Sequence, residues 1–367
     1  MFDCKILTSE ADVEAIAEEW RQLQASIGDS PFTGYHWFDI WWKTIGKQAG
    51  RDLHIVTGRL NGRLVALFPL VIVRRLGARI LQGSDRATLY QSGMLCADID
   101  HARELWAAAR RSPFYDFADI RDVQPGSACA RVLDSFARRR DTETNHFLKL
   151  TWKTEKEWLA SLSSGMRTGS HRRLRRLEEK GAVCYEVYQT EPPPPTVIDA
   201  MIKQKIAWCR AHGENQLFNH SGVLEFYHKL VEMAARQGTL FLVLLKCGND
   251  TIAYRLCFLH QKVAYGYIIS YDLGWKQYSP GTLLVMHSIG WAIANGFREF
   301  NFMQGEGAHK SQYTDDSRNW FEYTFSASHA GHLREMLYIG ARDAWRKIKD
   351  LRRACARRRG SGTREET

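Results

Sequence analysis

A chain of 367 residues, 44% apolar and 25% charged, has the composition of a folded globular protein, long enough for two domains whose cores need neither disulfide nor metal. Its longest apolar run, Leu64 to Val73, contains a proline and is far too short for a spanning helix. The start, Met1-Phe2-Asp3-Cys4-Lys5, lacks the features of a secretory signal, and the eight cysteines show no CxxC spacing, so a cytoplasmic protein with reduced thiols and no metal site is expected. The net charge is +10, but residues 342–359 carry nine Lys or Arg against two Asp, so the body is close to neutral and the basicity belongs to a C-terminal appendage.

In chain order, Cys4–Leu7 reads as a strand, residues 10–25 as a helix, and Tyr35–Lys47 as an aromatic helix. Residues 53–66 then match residues 240–253, offset by 187 without a gap. Each copy reads as strand, Asn/Gly/Asp turn and strand, which is a β-hairpin. Further strands are expected near 88–95, 114–120 and 145–150, helices over 155–162 and 170–180, and a strand over Val183–Tyr188. Pro192 to Pro195 makes a stiff connector before a helix of about fifteen residues. Helix 224–235, the second hairpin, strand Val263–Tyr271, helix 282–294, strand 298–302 and strand 321–327 complete the second half. Strands and helices interleave, so the class is α/β or α+β with mixed sheets, in two similarly built halves.

The chemistry concentrates where Tyr271-Asp272 leaves a strand and Gln277-Tyr278-Ser279-Pro280-Gly281-Thr282 enters an apolar helix. Ser279 is placed to cap, Pro280 fits the first helical position, and Gly281 lets a ligand approach the backbone. Such a helix start offers free amides and a positive dipole end to a phosphate or pyrophosphate. The alternative is a capped core helix with no ligand. No HExxH, Walker loop or Gly-x-Ser-x-Gly elbow occurs.

Tyr271-Asp272, Ser279-Pro280-Gly281, a helix ending at Gly296, and Phe300-Asn301-Phe302-Met303-Gln304-Gly305-Glu306 with Lys310 resemble the acetyltransferase family of cellulose and exopolysaccharide biosynthesis, within the GNAT superfamily. Related chains carry two GNAT-like halves in tandem, as do Fem-type peptidyl transferases. The resemblance implies a GNAT-like domain at 1–152 without its own CoA site, linking helices and connector at 153–195, an acyl-CoA-binding domain at 196–335, and a basic helical tail at 336–367. It also implies acetyl-CoA or another acyl-CoA as co-substrate, with the pyrophosphate near Gln277, Ser279, Gly281 and Thr282 and the pantetheine along the strand ending at Tyr271. The acceptor would be a sugar or sugar-nucleotide amine, or a hydroxyl. Asn301 and His309 stand where the family usually has Asp and Tyr, which leaves the base open among Glu306, Asp272 and His309. Lys310 would bind an acidic acceptor or stabilise charge, and Tyr313 would donate the proton.

Arg172, Arg173 and Arg176 lie on a helix whose charges form either a solvated face or a clamp for phosphate or acidic sugar. The tail places Trp345, Ile348, Leu351 and Cys355 on one side of a basic helix. It suits an anionic inner-membrane surface, a nucleic-acid contact or plain solubilisation, with nucleic acid the least favoured. Two rival functions remain: Fem-like aminoacyl transfer from tRNA to a peptidoglycan precursor, and a non-catalytic accessory protein.

Overall fold

The computed structural model describes residues 1–361 except 29, 84–92, 212–220, 305–309, 315 and 327, and leaves the side chains of 143, 346 and 349–361 undescribed. Ser9 follows β1 (Phe2–Leu7) and caps α1 (Glu10–Ala15), its hydroxyl accepting the Asp12 amide at 3.2 Å. The single helix expected over 10–25 is two, because Ile16 leaves helical geometry before α2 (Ala17–Ile27). A short 3-10 turn at Pro31–Thr33 leads to α3 (Tyr35–Trp41), which continues as a π-helical turn over Trp42–Gly46.

The first hairpin is β2 (Asp52–Leu60) and β3 (Arg63–Arg75), joined by Asn61 and Gly62 at φ +49° and +84°, the pair of left-handed residues that a two-residue turn needs. β4 (Ala78–Gly83), β5 (Leu95–Cys96), α4 (Ile99–Arg111), β6 (Phe117–Val123), α5 (Ala128–Leu133) and β7 (Arg138–Lys149) follow. Most of the strand expected near 88–95 lies outside the described residues. Next come α6 (Glu155–Ser161), α7 (Ser164–Glu178), β8 (Val183–Tyr188), α8 (Pro195–Ala211) and α9 (Val223–Arg236). The second hairpin, β9 (Leu240–Cys247) and β10 (Asp250–His260), keeps the 187-residue offset of the repeat. β11 (Val263–Tyr271), a 3-10 segment at Leu273–Tyr278, α10 (Pro280–Ala294), β12 (Glu299–Gln304), β13 (Ser317–Ser326) and α11 (His329–Ser361) finish the chain.

The strands form one mixed sheet in the order β1-β2-β3-β4-β6-β13-β7-β12-β11-β10-β9-β8, with β5 on β3. Near its middle the halves exchange strands: β7, from the first half, pairs with β12, while β13 pairs with both β6 and β7. One face carries α1, α2, α3, α8 and α9 over a core that draws on both halves. Trp37 of α3 meets Phe258 of β10 edge-on at 4.9 Å, and Phe32 meets Tyr265 of β11 at 5.4 Å. Burying aromatics of this size stabilises the join by roughly 1.5–3 kcal/mol each. The opposite face has separate cores, under α4 and α5 in the first half and under α6, α7 and α10 in the second.

The basic appendage is docked at its start. Tyr338 packs on Phe117, and Arg342 reaches between Asp119 (3.5 Å) and the buried Glu322 (2.5 Å), where Arg121 also pairs with Asp119. Trp345 and Ile348 are exposed, while the side chains of Leu351 and Cys355 lie outside the described residues. Among the described residues no helix is long and apolar enough to cross a membrane.

Candidate active site

β11 and β12 are parallel neighbours joined by α10, yet they pair only where Val263–Tyr265 meets Glu299–Asn301. Beyond that point β11 runs on to Tyr271 with no pairing to β12. Two local irregularities open the wedge. Leu256 of β10 faces Ile268 but Cys257 faces Gly266, so Tyr267 is an extra residue that bulges β11. On the other side Met303 takes a left-handed φ of +61°, and its amide is held by Asn301 Oδ1 at 2.9 Å, which turns the end of β12 away. Helix α8 flanks β11 here: Lys205 Nζ donates to the Ile269 carbonyl at 3.1 Å and Ser270 Oγ to Gln204 Oε1 at 3.0 Å.

The start of α10 faces this wedge, with fewer donors than the sequence suggested. Ser279 sits at the cap position in a left-handed conformation (φ +52°), and its side chain makes no capping bond. Its amide donates to the Lys276 carbonyl and the Thr282 amide to the Ser279 carbonyl, both at 3.0 Å. Pro280 has no N–H, so of the run Ser279–Thr282 only the Gly281 amide is left for a ligand. Gly281 is half-buried, and a Cβ there would meet the Tyr271 ring at 3.4 Å. The matching helix of the first half is closed differently: the Asp98 carboxylate accepts the Asp100 and His101 amides at 2.8 and 3.1 Å. A carboxylate at that end repels a phosphate.

Cationic side chains lie on the elements around this helix start. α7 packs against the 3-10 segment and α10, bringing the Arg176 guanidinium 5.5 Å over the Tyr278 ring and leaving Arg173 half-buried nearby. Arg172 points to solvent. At the root of the wedge lies Arg255, which the sequence reading missed. It is 4% exposed, its guanidinium lies 5.5 Å over Phe300, and its Nε and Nη2 have no hydrogen-bond partner. Its Nη2 fills the space where Gly266 would carry a side chain, 1.9 Å from an ideal Cβ, so only glycine fits there. A lone charge inside the apolar run Ile252–Leu259 was the available signal.

The other expected residues divide. Tyr313 is buried and stacked 5.7 Å from Phe302; burial pushes its phenol up to about 12, while the charges of Arg173 and Arg255 pull it down, which places both arginines within electrostatic reach. Lys310 is buried and donates to the carbonyls of Met303 and Gln304, both at 2.9 Å, which ties it to the end of β12. Lys310→Met is therefore expected to lower stability by about 1–3 kcal/mol, read from the urea midpoint, because two carbonyls lose their donor. Asp272 is exposed and caps the 3-10 segment through Gly274 N–H at 2.8 Å, and Gln277 is exposed on that segment. Tyr271 is half-buried opposite Gly281. Glu306 and His309 lie outside the described residues.

Residues 164–311, from α7 to just beyond β12, match the family model described as an acetyltransferase (GNAT) domain. No curated protein sequence matches the chain. Among solved structures, FemX superposes with a TM-score of 0.60 at 10% identity, covering 88% of this chain and 97% of that one. The C-terminal domain of a putative lysylphosphatidylglycerol synthetase from Agrobacterium fabrum gives 0.55 at 13% identity, over 89% and 95%. L-PGS from Bacillus licheniformis gives 0.54 at 12%, over 88% and 94%. At these identities the likeness is one of fold. Together with the domain match it defines the class of this protein: a GNAT-fold N-acyltransferase.

Proposed function

We propose that the protein transfers an acetyl or longer acyl group from acyl-CoA to an amine, or a hydroxyl, of a sugar or sugar-nucleotide acceptor in exopolysaccharide or cell-envelope biosynthesis. The observation that carries the donor half is Arg255: a guanidinium buried at the root of a strand wedge, with Nε and Nη2 lacking a hydrogen-bond partner. Buried polar groups are almost always hydrogen-bonded, so its open N–H groups point to a bound oxygen or sulfur. The missing side chain at Gly281 lets a ligand approach the backbone at the start of α10, beside Tyr271 and Ile269 of β11. Acyl-CoA would supply a thioester carbonyl open to direct attack. Arg173, Arg176 and the Gly281 amide would hold its phosphates, Arg255 would steady charge developing at the reacting carbonyl, and Tyr313 keeps its proton and donates toward the leaving sulfur. The base is drawn from Glu306, His309 and Asp272. The exposed Trp345 and Ile348 beside Lys347 support peripheral contact with an anionic membrane.

The Fem-type reading, with aminoacyl-tRNA as donor, draws on the same α7 arginines, because an RNA phosphate meets them as well as a diphosphate does. Thermal melting separates the two readings. CoA and acetyl-CoA raise the melting temperature if acyl-CoA is the donor, by mass action on the folded state, and tRNA does not. A shift with tRNA and none with CoA reverses the assignment.

A further inference from the structure

On the sheet face opposite α10, where strands of both halves meet, a cavity of about 120 Å³ lies beneath Phe32, against β7, β11, β12 and β13. Two of its lining residues carry buried polar atoms with no partner: Asn145 Oδ1, in a residue 3% exposed, and Trp320 Nε1, in a residue 7% exposed. One is an acceptor and the other a donor, and neither is supplied by the fold. The charged side chains in the lining, Glu299 and Arg318, are bound to each other at 3.1 Å, and the Arg318 guanidinium is pinned 3.8 Å over the Phe147 ring. Their charges cancel, so the cavity offers no net attraction to an ion. Phe32 and Tyr265 supply aromatic wall. The volume approaches that of a cavity of about 150 Å³, which holds a benzene ring, and so takes one small group and not a whole sugar or nucleotide.

We infer that this cavity binds an uncharged hydroxyl- or amide-bearing group, which donates a hydrogen bond to Asn145 Oδ1 and accepts one from Trp320 Nε1. That this group is the end of the acceptor rests on the acyl-transfer reading above: the cavity adjoins the paired root of the β11–β12 wedge, through Tyr265 and Asn301, on the face away from the donor. A donor on one face and an acceptor on the other then meet through the wedge. An anionic or cationic head group is disfavoured, because burial without a counter-charge costs several kcal/mol.

The test uses the full chain with ¹⁵N-labelled tryptophan indoles, titrated with acetamide and glycerol, and with acetate and methylammonium as charged counterparts. The Trp320 indole resonance, assigned by its absence in Trp320→Phe, is expected to shift saturably with an uncharged probe, to lose that response in Asn145→Leu, and to ignore the charged probes. Should Trp320→Phe not fold, the response lost in Asn145→Leu identifies the same resonance. If no indole resonance responds to acetamide or glycerol, or the charged probes act equally, the inference is overturned. No acyl donor is present in the titration, so its failure leaves the CoA melting result standing, and the reverse holds as well.

Discussion

Gly281→Trp is expected to weaken CoA binding about 100-fold or more while the ligand-free protein still folds. A 100-fold loss corresponds to about 2.7 kcal/mol. The residue is half-buried at the start of α10, and the nearest atoms to an added Cβ belong to the Tyr271 ring at 3.4 Å and the Ile269 side chain at 3.6 Å. A methyl there needs only a slight easing, so Gly281→Ala should bind CoA nearly as the parent does. An indole is far larger and must crowd the Tyr271 and Ile269 side chains at the end of β11, where the donor's arm would pass. Gly281 is only half-buried, so the ring is expected to turn partly toward solvent and to cost little folding stability. Titration calorimetry with CoA measures the effect, and a melt without ligand checks the fold. Unchanged affinity in Gly281→Trp would remove the helix start from the donor site and leave the cationic groups of α7 and β10 to be explained otherwise.

The parts of this structure that sequence reveals are those governed by neighbours in the chain. The twin hairpins fall where the repeat put them because Asn61-Gly62 and Gly248 carry left-handed turn chemistry of their own, whatever packs around them. β8, α9, β11 and most of α10 were legible for the same reason. The exchange of β7 and β13 was not: it joins strands about 180 residues apart, and nothing in either segment marks its partner. Arg342 reads as one more positive charge in a basic tail, but in the fold it is held by Asp119 and Glu322. The amides of Ser279 and Thr282 look free in a sequence and are spent locally, because Ser279 turns left-handed before the proline. Within the candidate site, the turn and the arginine helix are legible in the sequence, but the contact of Arg176 with the Tyr278 ring and the electrostatic reach of Arg173 to Tyr313 depend on the tertiary fold. That Lys310 donates to the Met303 and Gln304 carbonyls was not legible, because a lysine after a strand end says nothing about the carbonyls beside it.

Arg255 gives the second large effect, with opposite signs in two measurements. A guanidinium 4% exposed, with two of its nitrogens unpartnered and no carboxylate within ion-pair distance among the described residues, lowers the stability of the ligand-free fold. Replacing buried ionic groups by apolar ones of similar volume is often neutral or stabilising by about 1–4 kcal/mol. Met is long and flexible enough to lie over Phe300 and into the space Gly266 leaves open. Arg255→Met should therefore raise the urea midpoint. It should at the same time lower kcat by about 10²–10³-fold, the usual cost of removing a donor aimed at developing charge, with a smaller change in the KM for the acyl donor. A purely structural arginine would do the reverse: the variant would lose stability, and whatever folded would turn over normally. The combination of a firmer fold and a failed reaction is what marks a charge retained against stability for its chemistry, and at this wedge the reacting group would have to come within hydrogen-bond reach of it.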